Sequence, residues 1–174
     1  TASRRADAIS LQSPGDLIAG SLTAEVYTGL GGTLLQDLRN STKYRQNKPD
    51  RVELVTIFEY PPGTATRPPS SGNADNYGVK LTGYIIPSET ANYIFYLTSD
   101  DNGELFLSPD EYPGNQTRIA RESQYNNVRE FVSTARRAGC PTACENVSRP
   151  IRLEAGKRYS VRAEMKEGGG GDNL

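Results

Sequence analysis

Two adjacent carboxylates, Asp100 and Asp101, stand in the stretch "TSDDNGELFLS", 98–108, where a tight turn is expected between two apolar-alternating segments. Asp, Asn and Gly are common turn residues, so an ordinary hairpin turn accounts for the run by itself. It does not account for placing two like charges side by side. In an extended trans segment, neighbouring side chains point to opposite faces. A cis peptide would turn both carboxylates to one side, where a divalent cation relieves their repulsion. The pair therefore carries the expectation of a cis Asp100–Asp101 bond around one cation. A second candidate is the run "KEGGGGDNL", 166–174. By composition alone it is equally a flexible turn or linker.

The 174 residues contain no His. That excludes Ser-His-Asp triads, His-based proton transfer and His-containing metal sites. Paired-carboxylate hydrolases need no His, and Glu53 and Glu59 share a strand face by parity. Nothing around them suggests a catalytic pocket, so no enzyme is expected. Net charge is −1, with Lys and Arg scattered, so no basic stripe argues for nucleic acid. No apolar run approaches the length of a membrane span. The first residues lack the apolar region of a signal peptide, so a secretion signal is expected on a longer precursor or already removed.

Cys140 and Cys144 lie four residues apart. A short-loop disulfide in an exported protein is expected, against two free thiols in a cytosolic loop or pairing with cysteines outside this chain. Sequons at Asn40, Asn115 and Asn146 agree with export and would matter only in a eukaryote.

The elements that must position these residues read as short strands. Residues 1–17 are polar and are expected as an arm or linker. Alternation predicts a strand over 21–29, and Leu34, Leu35 and Leu38 predict a helical turn or two behind Thr33 as N-cap. A β-branched run predicts a strand over 51–60, followed by a long Pro/Gly/Ser loop over 61–75. Asp75-Asn76 reads as a turn rather than a ligand. Segments 77–87, 92–99 and 104–108 are expected to form an antiparallel meander. Residues 109–149 are irregular, with a short strand at 118–121 and a helical turn at 128–134. Residues 150–166 read as a hairpin with one buried and one wet side. Short strands and long loops predict an all-β antiparallel β-sandwich, jelly-roll-like, with one or two helical turns.

The pieces "GSLTAEVYTG", "ADNYGVKLTGYIIPSETANYIFYLTSDDNGELFLS", "PIRLEAGKRYSVRAEMK" and "EGGGGDNL" resemble, in order, the protective-antigen fourteen-kilodalton (PA-fourteen) domain family of bacterial toxins, glycoside hydrolases and yeast adhesins. The resemblance covers roughly residues 20–174 and implies one β-sandwich domain over 18–174. The stretch 122–149 is longer than the family pattern. The family usually continues into one more strand, which implies that this chain lacks its last strand. The strand at 157–166 is then expected beside an open edge or a strand from elsewhere.

The resemblance implies a calcium-binding lectin site. Asp100 and Asp101 would supply two carboxylates. Glu167 would supply a side-chain oxygen, or Asp172 or Asn173 in its place, and Gly169 and Gly171 would supply carbonyls. The ion's free positions would take two sugar hydroxyls. Calcium requires six to eight hard oxygens, and a glycine run can bend to aim carbonyls. The spaced acidic ligands of an EF-hand are absent. Tyr112 and Tyr125 could stack on a sugar face, although packing or solvent exposure accounts for them too. The implied function is calcium-assisted glycan recognition or adhesion outside the cell, with a glycan or cell-surface glycoprotein as partner. The alternatives are a structural domain packing against other chains of an extracellular assembly, or an accessory domain of a secreted glycoside hydrolase.

Overall fold

The structure is a computed structural model that describes residues 7–13, 16–62, 75–132, 139–140 and 142–174. In chain order it comprises β1 (Asp7–Ser13), β2 (Asp16–Ala19), β3 (Leu22–Thr28), α1 (Leu35–Asn40), α2 (Thr42–Arg45) and β4 (Arg51–Val55). There follow β5 (Tyr77–Ile86), β6 (Ala91–Tyr93), β7 (Asn102–Leu107), β8 (Thr117–Glu122), β9 (Ile151–Leu153) and β10 (Tyr159–Glu167). The expected all-β class holds. The large antiparallel sheet runs β2-β1-β5-β10-β7-β8, with β3 pairing both β5 and β4, and β6 and β9 form a small second sheet. Among the described residues, no helix is long and apolar enough to cross a membrane.

The alternation read from the sequence selects the core. Val79 and Leu81 of β5, Leu105 and Leu107 of β7, and Val161, Ala163 and Met165 of β10 are buried on one face of the large sheet. Leu97, Leu153 and Leu174 belong to the same cluster. Burial of this apolar surface is the main term holding the sandwich together.

Alternation names a face and not a partner, and the expected pairings differ from those observed. β5, β6 and β7 do not form a meander. β5 pairs with β10 through nine residue pairs, and β6 pairs with β9. The expected hairpin over 150–166 divides in the same way, since β9 lies in the small sheet and β10 in the large one. The expected open edge at β10 is also overturned. β10 lies between β5 and β7, hydrogen-bonded to strands of this chain on both sides. The segment expected as an N-terminal arm contributes β1 and β2, and β1 pairs with the end of β5. The strand expected over 51–60 is confined to β4, and the strand at 118–121 is β8. Residues 63–74 of the long loop, and residues 133–134 of the helical turn expected at 128–134, lie outside the described residues.

The second side of β10 is largely covered, with Arg162 keeping 28% of its side chain exposed. Glu164 and Lys166 are buried beneath the α1–α2 segment, and Ser160 is buried at the other end of β10 against residues 110–116. Charges can stay there because each is paired or hydrogen-bonded. Arg39 of α1 reaches Glu164 at 2.5 Å, and Lys166 Nζ donates to the Gly32 carbonyl at 2.6 Å. α1 starts one residue later than Thr33 as a cap allows. The Leu34 N–H donates to Asp37 Oδ2 at 3.0 Å, satisfying an end donor from inside the first turn. Leu38 then packs so closely on β5 that a Cβ at Gly78 would lie 2.7 Å from Leu38 Cδ1.

Candidate functional site

The candidate site lies where β10 ends, β7 begins and β5 begins. The Asp100–Asp101 peptide is cis, as expected. The Asp100 N–H donates to the Asn173 carbonyl at 2.8 Å, which fixes the Asp pair against the chain's last residues. The Gly168 N–H donates to Asp101 Oδ2 at 2.9 Å, which fixes it against the glycine run.

Glu167, the last residue of β10, turns its carboxylate into this corner. One carboxylate oxygen each of Asp100, Asp101 and Glu167 lie within 4.8 Å of one another. Oxygens bound to one calcium at 2.3 to 2.6 Å can be no farther than about 5 Å apart, so the three fit a single ion. Glu167 is 0% exposed, and neither of its oxygens has a hydrogen-bond partner. Its pKa is pushed up to about 8, first by burial and then by Asp101, Asp100, Asp172 and Asp75. A buried carboxylate without donors is costly unless a proton or a cation satisfies it. The chemistry open to this corner is the binding of a hard cation by carboxylate and carbonyl oxygens.

The glycine run is shaped by proximity. A Cβ at Gly171 would lie 2.9 Å from Asp100 Oδ2, and one at Gly168 would lie 2.7 Å from Thr33 Cγ2. Gly170 has φ +112°, which favours glycine. Gly169 and Gly171 are exposed in the bend. Asp172 is buried, and its Oδ2 accepts a 2.9 Å hydrogen bond from the Tyr77 hydroxyl. That phenol is held far above its usual range, by burial first and then by Asp172. Asn173 is buried behind Asp100, so its side chain lies inside the corner rather than on an outer surface.

The two expected aromatics part company. The exposed Tyr125 precedes Asn126, whose N–H donates to the Ser99 carbonyl at 2.8 Å, so the backbone next to Tyr125 is tied to the residue before the Asp pair. Tyr112 lies elsewhere. Its N–H bonds Asp110, whose carbonyl accepts from Ser160 at the opposite end of β10, roughly 20 Å along the strand from Glu167. Tyr112 is therefore corrected out of the site, because the β7–β8 connection carries it to the far end of the sheet.

Two residues at the site escaped the sequence reading. Asp75 does stand in a turn, but its Oδ1 accepts from the Gly170 N–H at 3.3 Å, so it faces the glycine run. Lys166 looked like a wet-side residue. It is 0% exposed, and its Nζ also donates to the Glu167 carbonyl at 2.6 Å. Burial lowers its pKa, and Asp37, Glu167 and Asp101 oppose that effect. Period-two alternation carried no signal for either position.

The remaining expectations resolve individually. Cys140 and Cys144 form a disulfide. Asn40 and Asn115 are exposed, whereas Asn146 is buried and its Nδ2 donates to the Leu97 and Phe131 carbonyls at 3.0 Å each. The Asn146 sequon is therefore incompatible with a glycan in this fold. Glu53 and Glu59 form no acid–base pair, since Glu53 bonds Arg51 and the buried Glu59 bonds Arg129.

An antiparallel β-sandwich with an acidic corner beside a glycine-rich bend defines the class of domain. The family model of the PA14 domain matches residues 62–174, and the chain belongs to that family. Over 107 residues it is 31% identical to N-acetyl-beta-glucosaminyl-glycoprotein 4-beta-N-acetylgalactosaminyltransferase 1 of Mus musculus, covering 59% of this chain and 10% of that protein. The chain thus spans about a tenth of the length of the curated relative it matches. Similar solved structures include a β-glucosidase from Kluyveromyces marxianus in complex with glucose. It is 19% identical, with TM-score 0.54, covering 97% of this chain and 17% of that one. The A domain of epithelial adhesin 9 from Candida glabrata, in complex with Galb1-4GlcNAc, is 14% identical with TM-score 0.55. It covers 94% of this chain and 82% of that one. These two likenesses show a shared fold.

Proposed function

We propose that the chain is a non-catalytic extracellular binding module that recognises a glycan with the help of calcium. In this reading Asp100, Asp101 and Glu167 hold the ion with side-chain oxygens, Gly169 and Gly171 add carbonyls, and Asp172 and Asn173 brace the bend. Bound calcium supplies open coordination positions for vicinal sugar hydroxyls. The exposed Tyr125 offers a ring beside them, and Lys166 offsets part of the negative charge from beneath. The carrying observation is Glu167, fully buried with both oxygens unpartnered beside the Asp pair. The glycan complexes of the adhesin neighbour support a sugar as ligand.

A glycan array probed in millimolar calcium and again in excess chelator tests the proposal, together with calorimetric calcium titration. Calcium-dependent retention of particular glycans is the expected result. Calcium binding with no glycan retained would leave a structural metal site, and no calcium binding would remove the proposal.

A second reading rests on length. The chain covers 10% of the glycosyltransferase relative and 17% of the β-glucosidase, so a domain of this kind serves as one part of a larger enzyme in those proteins. An accessory role on a longer secreted polypeptide is compatible with the same binding chemistry.

A further inference from the structure

The sheet face beneath α1 and α2 carries a second concave feature, away from the Asp100 corner. β5 presents Lys80, Thr82 and Tyr84 on this face, and their partners across the ladder on β10 are Glu164, Arg162 and Ser160. Tyr44 of α2 closes one end, and the Pro113–Gln116 segment closes the other. Between them lies a cavity of about 520 Å³. Its floor from Lys80 to Tyr84 spans roughly 13 Å of strand, enough for a mono- or disaccharide.

The charges beneath this floor do not balance. Arg39 bonds both Glu104 and Glu164, Arg118 bonds Glu104, and Arg162 bonds Glu164. Three guanidinium groups against two carboxylates leave one positive charge over, and Arg162 is the member that lines the cavity. Its carbon Cζ lies 4.1 Å from the Phe106 ring centroid, which holds the guanidinium plane in place. Its Nη1 is used on Glu164, but its buried Nε has no acceptor. That Nε lies out of reach of the groove, but the side chain keeps 28% of its surface exposed, and its planar guanidinium is suited to an anion there. The rest of the lining is suited to a sugar. Tyr44 and Tyr84 bring ring surface, and Gln116 donates to Ser160 Oγ at 2.9 Å, which places an amide and a hydroxyl at one end.

We infer that this groove is a second ligand site that works without a cation and takes an acidic saccharide, a pyranose carrying a carboxylate or a sulfate. The anionic group meets Arg162, and Lys80 lines the Tyr44 end. Lys80 is already paired with Glu25 at 2.5 Å, so Arg162 supplies the net attraction. The inference stands independently of the calcium proposal, because the groove shares no residue with the Asp100 corner.

The test is titration of the isotope-labelled chain, in excess chelator, with glucuronic acid, galactose 6-sulfate and galactose, followed by amide chemical shifts. Both acidic probes are expected to bind with dissociation constants on the order of 1 mM, and galactose is not. The shifts should centre on Thr82, Gly83, Gln116 and Arg162. Which acidic probe binds more tightly separates carboxylate from sulfate recognition. Thr82→Trp, which fills the groove, and Arg162→Gln should each weaken binding at least about tenfold. Absence of saturable shifts, shifts mapping elsewhere, or equal binding of galactose would overturn the inference. So would full affinity in a folded Thr82→Trp chain. If that variant does not fold, the wild-type shift map decides alone. Chelator silences the Asp100 corner throughout, so either proposal can fail while the other stands.

Discussion

The Gly168 N–H donates to Asp101 Oδ2 at 2.9 Å across 67 residues of sequence. The bond ties the glycine run to the Asp pair without help from any ion. Asp100, hydrogen-bonded to Asn173, makes a parallel tie. A corner braced in this way loses little conformational freedom when a cation binds, which favours affinity.

Asp101→Asn tests the carboxylate and spares the brace, because an Asn oxygen can still accept from Gly168. Calcium affinity is expected to fall at least about tenfold, equivalent to ~1.4 kcal/mol. Isothermal titration calorimetry reads the change, and the melting temperature in chelator should move little. An unchanged affinity would put Asp101 outside the ligand set.

The Glu167 carboxyl, pushed up to about 8, makes the corner sensitive to pH. An unfolded Glu titrates near 4.3, so the native state holds this proton more tightly than the unfolded chain does. Its stabilising contribution is complete below that value and is lost as pH rises through about 8. The cation-free chain should therefore melt lower at about pH 9 than at about pH 6, and calcium should restore more at the higher pH. Scanning calorimetry in chelator and in calcium measures both. Glu167→Gln should flatten the difference, and a calcium effect equal at the two pH values would refute the assignment.

What the sequence disclosed follows the range of the forces involved. Asp100 and Asp101 stood out because their repulsion is local and readable from two letters. The core positions on β5, β7 and β10 were legible because strand parity is local too. Strand partners were not. Alternation in β9 and β10 is the same whether they face each other or lie in different sheets. Asp75 was missed because its role depends on Gly170, 95 residues away. Lys166 was read as exposed because its burial depends on residues far back in the chain, where the Gly32 carbonyl accepts from its Nζ.

Burial separates the three sequons. Asn146 Nδ2 spends its hydrogens on Leu97 and Phe131, whereas Asn40 and Asn115 face outward. Secretion from a eukaryotic host should give peptides modified at Asn40 or Asn115 and bare at Asn146, read by mass spectrometry. Asn146→Asp replaces two donated hydrogen bonds with a buried charge and should cost about 2 kcal/mol or more of stability. A glycan found on Asn146 of the folded chain would contradict the packing of that loop.

Glu164 offers the sharpest test of the charged layer beneath the helices. It is 0% exposed and accepts from Arg39 Nε at 2.9 Å and Arg162 Nη1 at 2.8 Å, and it accepts also from the Tyr44 hydroxyl. Glu164→Gln keeps the shape and removes the charge, leaving Arg39, Arg118 and Arg162 facing Glu104 alone. Breaking a fully buried ion pair costs about 3 to 5 kcal/mol. Arg39 and Arg162 retain 30% and 28% side-chain exposure, so water screens part of the loss. The expected destabilisation is therefore nearer 2 to 3 kcal/mol, roughly, measured as a shift of the urea midpoint at constant slope. The double variant Glu164→Met, Arg39→Met removes one cation along with the buried anion. It should recover part of the loss, because fewer charges are left without a partner. A single variant within about 0.5 kcal/mol of the wild type would show that the layer is held by apolar packing of Tyr27, Leu35 and Leu38 and not by charge.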